Sequence, residues 1–146
     1  MINNFRRGMK DGMPIALGYF PVSFTFGMMA VSQGMPAWFA IAVSMVNLTS
    51  AGQFAGLPLI LSAASAVEMA VTQVISNLRY SLMSLSLTQK VDPSVSVPQK
   101  LLMSFGVTDE VFAVASVRPE NVGARYFYGL MATPYLGWTL GTACGA

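Results

Sequence analysis

The 146-residue sequence contains no histidine, a single cysteine (Cys144) and few charged residues. Without histidine and with one cysteine, the chain lacks the usual ligands of a zinc site and cannot form an internal disulfide. Charged residues make up 10% of the sequence, whereas an ordinary soluble domain carries about 25%. The net charge is +2 and the basic residues form no stripe, which argues against a nucleic-acid-binding protein. We therefore expect no metal, no cofactor and no nucleic-acid partner.

Apolar residues dominate instead. They make up 54% of the chain, and the mean hydropathy is +0.58. No charged residue lies between Asp11 and Glu68, and Tyr126–Ala146 is also free of charge. A helix needs about 20 apolar residues to cross a bilayer core of about 30 Å. The sequence therefore predicts an all-α, polytopic transmembrane helix bundle that is surrounded by the lipid bilayer.

Five apolar segments in one membrane domain (residues 1–146) are the predicted membrane segments: Met13–Gln33, Ala37–Leu61, Ala63–Leu87, Leu101–Val117 and Tyr126–Ala146. The lead-in Met1–Asp11 is polar and basic, but the apolar run after it is too long for the core of a signal peptide, about 7–15 residues. With the N-terminus inside, five lysines and arginines face the cytoplasm and two face outside, which predicts a cytoplasmic N-terminus. A re-entrant hairpin in the second segment would invert every later segment.

The last segment reaches Ala146 without the polar or basic anchors that usually close a span. We therefore expect the chain to be the N-terminal part of a longer protein. Within that segment, Gly137, Gly141 and Gly145 recur every four residues, a spacing that lets helices approach closely.

The second segment carries polar and glycine residues at its middle, Asn47-Leu-Thr-Ser-Ala-Gly-Gln53. Non-helical backbone persists in hydrocarbon only inside protein or around a water-filled cavity, and transporters direct the N-termini of such broken helices at anionic substrate groups. This predicts non-helical geometry near residues 48–52 and a substrate pocket lined by Ser50, Ala51, Gly52 and Gln53. The alternative is an unbroken helix, in which the Thr49 and Ser50 hydroxyls bond the preceding turn and Gly52 and Gly56 form a packing face.

The third segment places Glu68, Thr72, Ser76 and Arg79 on one face of a helix. A charge within a span costs at least about 2.5 kcal/mol on insertion scales and normally faces protein or water. We therefore predict that Arg79 faces the interior near Asp109 or Glu110, and that Glu68 takes part in ion or proton coupling. In the alternatives, Glu68 lies at the helix start and reaches the interface, and Arg79 extends its long side chain to the headgroups.

Asp109 and Glu110 stand at the centre of the fourth segment, directly after Thr108. Threonine followed by two acids is a good helix start, because the hydroxyl caps the helix and the acids complement its dipole. One interpretation is a helix start in an interfacial loop. The other is a second discontinuous helix, whose acids face a cavity and carry protons or hold an ammonium group.

Four blocks carry a family resemblance: Gly18-Tyr-Phe-Pro-Val-Ser-Phe-Thr-Phe-Gly27, Ser50-Ala-Gly-Gln-Phe54, Asn77-Leu-Arg-Tyr-Ser-Leu82 and Phe105-Gly-Val-Thr-Asp-Glu-Val-Phe-Ala113. In this order they resemble the AzlC family of branched-chain amino acid permeases. The resemblance implies a multi-pass permease of the cytoplasmic (inner) membrane, typically an exporter of valine, leucine or isoleucine, with a small AzlD-type membrane partner. It adds Asn77 and Arg79 of the third block to the candidate substrate-binding residues. Tyr80 departs from the family, which usually has histidine there, and family members extend beyond Trp138–Thr142.

An amino acid substrate is a zwitterion with an apolar tail, and the candidate residues match its three parts. Backbone N–H groups at the broken helix suit the carboxylate, and Asp109 or Glu110 suits the ammonium or a coupled proton. Phe24, Phe26 and Phe54 suit the apolar tail. No nucleotide motif is present, so we expect an ion gradient or a partner to supply the energy. The alternative functions are a non-transporting assembly subunit and an intramembrane enzyme, but no G-x-S-x-G motif or histidine base favours an enzyme.

Overall fold

The computed structural model describes residues 4–146, so the first three residues of the basic lead-in lie outside it. Over the described range the chain forms seven helices: α1 (Phe5–Ser32), α2 (Ala37–Val46), α3 (Ser50–Leu61), α4 (Ala66–Thr88), α5 (Val97–Phe105), α6 (Asp109–Ser116) and α7 (Ala124–Gly145). No strand occurs among these residues, where extended pairing is limited to an isolated parallel bridge between Val91 and Val122. The predicted all-α class is confirmed.

The first helix begins eight residues before the predicted start at Met13. The Asn4 side chain explains the earlier start, because its Oδ1 accepts the N–H of Arg7 at 2.8 Å and so caps the first turn. The helix ends at Ser32, just before Gly34, whose φ of 94° is the left-handed conformation that glycine adopts without strain. From Phe5 to Asp11 the polar lead-in is thus part of α1 and not a separate segment.

Two predicted membrane segments are each divided into two shorter helices. The second predicted segment forms α2 and α3, of 10 and 12 residues. The fourth predicted segment is divided between α5 and α6, of 9 and 8 residues. Among the described helices, α1 alone is both long and apolar enough to cross a membrane by length and composition. Five membrane segments therefore stay a prediction, and any crossing by the second or fourth would need two half-helices.

The helices form two compact units. The first contains the chain up to Leu17 and Tyr80–Leu136, and the second contains Gly18–Arg79 and Gly137–Ala146. Each unit contains a part of α1 and a part of α7.

In the first unit, α1 and α7 pack backbone against backbone. A Cβ on Gly8 would overlap the Tyr126 carbonyl oxygen, and a Cβ on Gly12 would lie 3.3 Å from the Leu130 carbonyl carbon. Residue numbers rise together on both helices, so the two run parallel. The buried side chains of this unit include Tyr126, Phe127, Leu130, Val111 and Val122.

In the second unit, glycines of both helices again lie at the contact. A Cβ on Gly145 would overlap the Phe24 carbonyl oxygen, and a Cβ on Gly27 would overlap that of Thr142. The predicted close helix packing is thus confirmed at Gly145, and at Gly141, which lies against Phe20. An apolar cluster completes this unit: Phe26, Ala30, Met35, Ala40 and Leu57.

The substitution Gly27→Ala should destabilise the protein. Its new methyl group would overlap the α7 backbone, and overpacking of this kind costs about 1–3 kcal/mol. The matched control is Gly18→Ala on the same helix, where a Cβ meets nothing within 4 Å and the gain in helix propensity is up to about 1 kcal/mol. The two substitutions should therefore shift the thermal unfolding temperature in detergent in opposite directions: Gly27→Ala should lower it and Gly18→Ala should raise it. Equal shifts for the two variants would contradict the close packing.

Candidate functional site

The second apolar segment breaks at Asn47–Thr49, between α2 and α3. Asn47 and Thr49 are extended, with φ of −132° and −136°. The predicted break is confirmed and the unbroken-helix alternative is wrong, but its place differs from residues 48–52. Ser50–Gln53 form the first turn of α3, because the Gln53 N–H donates to the Thr49 carbonyl at 3.0 Å.

The first turn of α3 lacks a side-chain cap. Thr49 is its N-cap residue, but the Thr49 hydroxyl donates to Asn47 Oδ1 at 2.9 Å and makes no bond to the helix. The first N–H groups of any helix have no partner within the helix, and they carry the positive end of its dipole. The break therefore leaves the backbone N–H groups of Ser50, Ala51 and Gly52 without a partner in the helix at the start of α3. Of these residues Ala51 is exposed, Ser50 is half-buried and Gly52 is buried.

Gln53 connects the two sides of the break. Its side chain is 2% exposed; Nε2 donates to the Asn47 carbonyl, and Oε1 accepts the Ser44 hydroxyl at 3.2 Å. Ser44 Oγ also lies 2.7 Å from Thr142 Oγ1, which donates to the Ser23 carbonyl at 3.3 Å. The network is buried and uncharged. Gln53 thus satisfies a carbonyl that the break releases, which is a structural task inside the predicted pocket region.

Two amides of α4 lie against the start of α3. Gln73 Nε2 donates to the Gly52 carbonyl at 2.8 Å, and Asn77 Nδ2 donates to Gln73 Oε1 at 3.1 Å. Asn77 Oδ1 is buried and accepts no hydrogen bond from the residues that the structure describes. The structure therefore brings together Gly52 and Asn77, both predicted from the sequence, and leaves one acceptor beside them.

Gln73 is a residue that the sequence analysis missed. The signal was present, because Gln73 and Asn77 are four residues apart and therefore share a helix face. Gly52 and Gly56, which the unbroken-helix interpretation treated as a packing face, both lie against the Gln73 side chain. Small residues on α3 thus allow α4 to bring its amides to the break.

The remaining predicted substrate residues lie on both helices. Phe54 is half-buried and packs edge-to-face on Phe26, with ring centroids 5.6 Å apart. Arg79 lies two residues after Asn77 on α4, and it is exposed. Its predicted place near Asp109 or Glu110 stays a prediction.

The predicted acids all lie at helix starts. Glu68 is exposed in the first turn of α4, where its N–H donates to Ser65 Oγ at 3.2 Å, so its position matches the helix-start alternative. Asp109 and Glu110 open α6, and Thr108 caps this helix by accepting the Val111 N–H at 3.4 Å. The predicted helix start with its Thr108 cap is confirmed, and the chain is interrupted between Phe105 and Asp109; that these acids face a cavity stays a prediction.

The sequence analysis also missed a charged cluster in the first unit. The Tyr126 hydroxyl donates to Asp11 Oδ2 at 2.8 Å, and Arg118 Nη1 lies 3.7 Å from the same oxygen. The Arg118 guanidinium stacks 3.7 Å from the Tyr126 ring centroid and lies 3.4 Å from Glu120. Arg118 is one of the five lysines and arginines expected on the cytoplasmic side, and its side chain is 7% exposed. Side chains 115 positions apart in sequence leave no local signal for such a cluster.

The substitution Gln53→Leu should lower the stability of the protein. It leaves the Asn47 carbonyl without its side-chain donor and removes one of the two partners of the Ser44 hydroxyl, and a buried unsatisfied group costs about 1–3 kcal/mol. Gln33→Leu, at an exposed position, is the control and should change the unfolding free energy little. Denaturant or thermal unfolding in detergent measures both. If the two variants were equally stable, Gln53 would not hold the break.

The chain was compared with known proteins. A protein of Archaeoglobus fulgidus named "Uncharacterized membrane protein" is 35% identical over 141 residues, which cover 97% of this chain and 61% of that protein. The "Inner membrane protein YgaZ" of Escherichia coli is 29% identical over 146 residues, with 97% and 60% covered. This chain therefore spans about three fifths of the length of these relatives. No solved structure matches it.

The family comparison covers nearly the whole chain. Residues 14–146 match the family described as "AzlC protein", a range that contains all four sequence blocks, the helix break and the α4 amides. The relatives are named as membrane proteins, in agreement with the composition. The chain is thus a membrane protein of the AzlC family, whose members are generally linked to transport.

Proposed function

We propose that the chain carries the substrate site of a secondary transporter, which moves branched-chain or related apolar amino acids across the cytoplasmic membrane. One observation carries the proposal: in a chain of this family, an apolar segment breaks at Asn47–Thr49 and presents an uncapped helix start to the amides of α4. Broken helices of this kind form substrate sites in other secondary transporters. The family resemblance supplies the substrate class, the multi-pass topology with a cytoplasmic N-terminus, and the small AzlD-type partner.

The chemistry of the break suits a zwitterion with an apolar tail. The N–H groups of Ser50, Ala51 and Gly52 are donors for the substrate carboxylate at the positive end of α3. The buried Oδ1 of Asn77 is an acceptor for the ammonium group. Phe54, packed on Phe26, provides an aromatic surface for the tail. Arg79 stays among the proposed substrate-binding residues through its place in the third block.

The acids of α6 are proposed to couple transport to protons. No nucleotide-binding motif is present in the sequence, so an ion gradient is the proposed energy source. Asp109 and Glu110 follow a discontinuity in an apolar segment, and ionisable residues within such segments form proton relays in other transporters. Glu68, which the sequence also placed among the coupling residues, is exposed in the first turn of α4, so we propose for it only a role at the helix start.

Export of labelled leucine or valine tests the substrate site. We expect Asn77→Leu, in the full-length protein with its partner, to reduce export at least about tenfold, because a hydrogen bond to a charged group contributes about 1.5–3 kcal/mol. The control is Gln89→Leu, at an exposed position just after α4, which should export like the unmodified protein. Equal export by both variants would remove Asn77 from the site. Lack of amino acid export by the unmodified protein itself would refute the proposed function.

The pH dependence of export tests the coupling residues. We expect Asp109→Asn or Glu110→Gln to abolish the pH dependence, because each removes a group that exchanges protons, while the protein still inserts into the membrane. Glu68→Gln should keep the pH profile of the unmodified protein, given its exposed place at a helix start. The measurement is export at several external pH values, normalised to the amount of protein in the membrane. Unchanged profiles for both α6 variants would mean that these acids only stabilise the helix start.

A further inference from the structure

An apolar groove of about 310 Å³ lies in the first unit, between the end of α4 and α5. Its floor consists of residues that are already packed, among them Leu87, Met103 and Val107, each less than 5% exposed. Its walls include Leu85 and Leu101, which are 67% and 68% exposed. A volume of this size is at the lower end of the range for small-molecule sites, about 300–1,000 Å³.

Three hydroxyl groups line the groove, those of Ser84, Thr88 and Ser104, and two of them bond the protein backbone. The Thr88 hydroxyl donates to the Leu85 carbonyl at 2.6 Å, and the Ser104 hydroxyl donates to the Leu101 carbonyl at 2.7 Å. Both protons are therefore directed at the backbone of their own helices. The walls offer mainly carbon to a ligand.

One charge lines the groove, the ammonium group of Lys100 in the first turns of α5. Lys100 has no ion pair among the described residues. The acid on the preceding loop, Asp92, accepts hydrogen bonds from the hydroxyl and backbone N–H of Ser94, which lower the pKa of Asp92. That carboxylate is thus engaged locally, and the groove combines apolar walls with an uncompensated positive charge.

We propose that this groove binds an anionic glycerophospholipid, with an acyl chain along the apolar walls and the phosphate at Lys100. The charge complementarity of Lys100 selects an anionic headgroup, and the apolar walls select a chain of methylene groups, whose burial away from water is favourable. The polar loop between α4 and α5, residues 89–96, lies on the Lys100 side of α5, where a headgroup would meet water. The proposal rests on the membrane location of the protein and not on its transport activity.

Native mass spectrometry of the purified chain in detergent tests this assignment, with dioleoyl phosphatidylglycerol and dioleoyl phosphatidylcholine as probes. We expect the anionic lipid to bind about fivefold more tightly, since a basic residue contributes about 1 kcal/mol toward an anionic lipid. Lys100→Gln should abolish this preference. Lys90→Gln, on the loop that precedes α5 and outside the groove lining, is the matched control and should retain the preference.

A second variant tests the groove itself. Ser104→Phe, at an exposed position, should fill the groove and weaken the binding of both lipids. Unfolding temperatures measured without added lipid should be the same for Ser104→Phe, Lys100→Gln and the unmodified chain, which separates loss of the site from loss of the fold. Equal affinity for the two lipids, a preference that survives Lys100→Gln, or full binding by Ser104→Phe would overturn the proposal. A dimer that Ser104→Phe dissociates would overturn it as well, because a second copy of the chain would then occupy the groove.

Discussion

Backbone groups that leave a helix inside an apolar segment must find new partners, and the structure of the second unit depends on how Gln53 meets this requirement. An unpaired carbonyl or N–H in hydrocarbon costs several kcal/mol, so an unsupported break would close into a continuous helix. The buried Gln53 amide accepts from Ser44 on one side of the break and donates to Asn47 at its start. All partners are neutral, so the break persists without burying a charge.

The two discontinuities of the chain solve this problem in different ways. At the second, the cap residue Thr108 bonds its own helix, and Asp109 and Glu110 place negative charge at the positive end of the dipole. At the first, the cap residue Thr49 bonds Asn47 instead, and no acid lies in the first turn of α3. The start of α6 is thus already compensated, whereas the start of α3 retains its preference for an anion. This contrast supports the proposal that a substrate carboxylate would bind at the start of α3 and not at the start of α6.

The sequence predicted those features that depend on neighbouring residues. Polar and glycine residues within an apolar run indicated the break, and the Thr-Asp-Glu pattern indicated the start of α6. The break lies at Asn47–Thr49 and not at residues 48–52, because the Thr49 hydroxyl bonds Asn47 and not the first turn of α3. Composition does not determine which of these two nearby partners the hydroxyl takes. The Gln73 amide and the Arg118 cluster were missed, since their roles depend on which distant segments come together. The apolar groove between α4 and α5 was missed as well, although its lining residues all lie between Ser84 and Val107.

The glycine contacts between α1 and α7 also restrict the path of the chain. In both units these contacts rise together in residue number, so the two helices point the same way. Two membrane spans of the same direction must be separated by an odd number of crossings. If α1, α4 and α7 all cross, the divided segments α2–α3 and α5–α6 must therefore behave alike: either both traverse the bilayer or both return to the side from which they entered. Small residues at one helix contact thus couple the topologies of two half-helix pairs that are more than 30 residues apart in sequence.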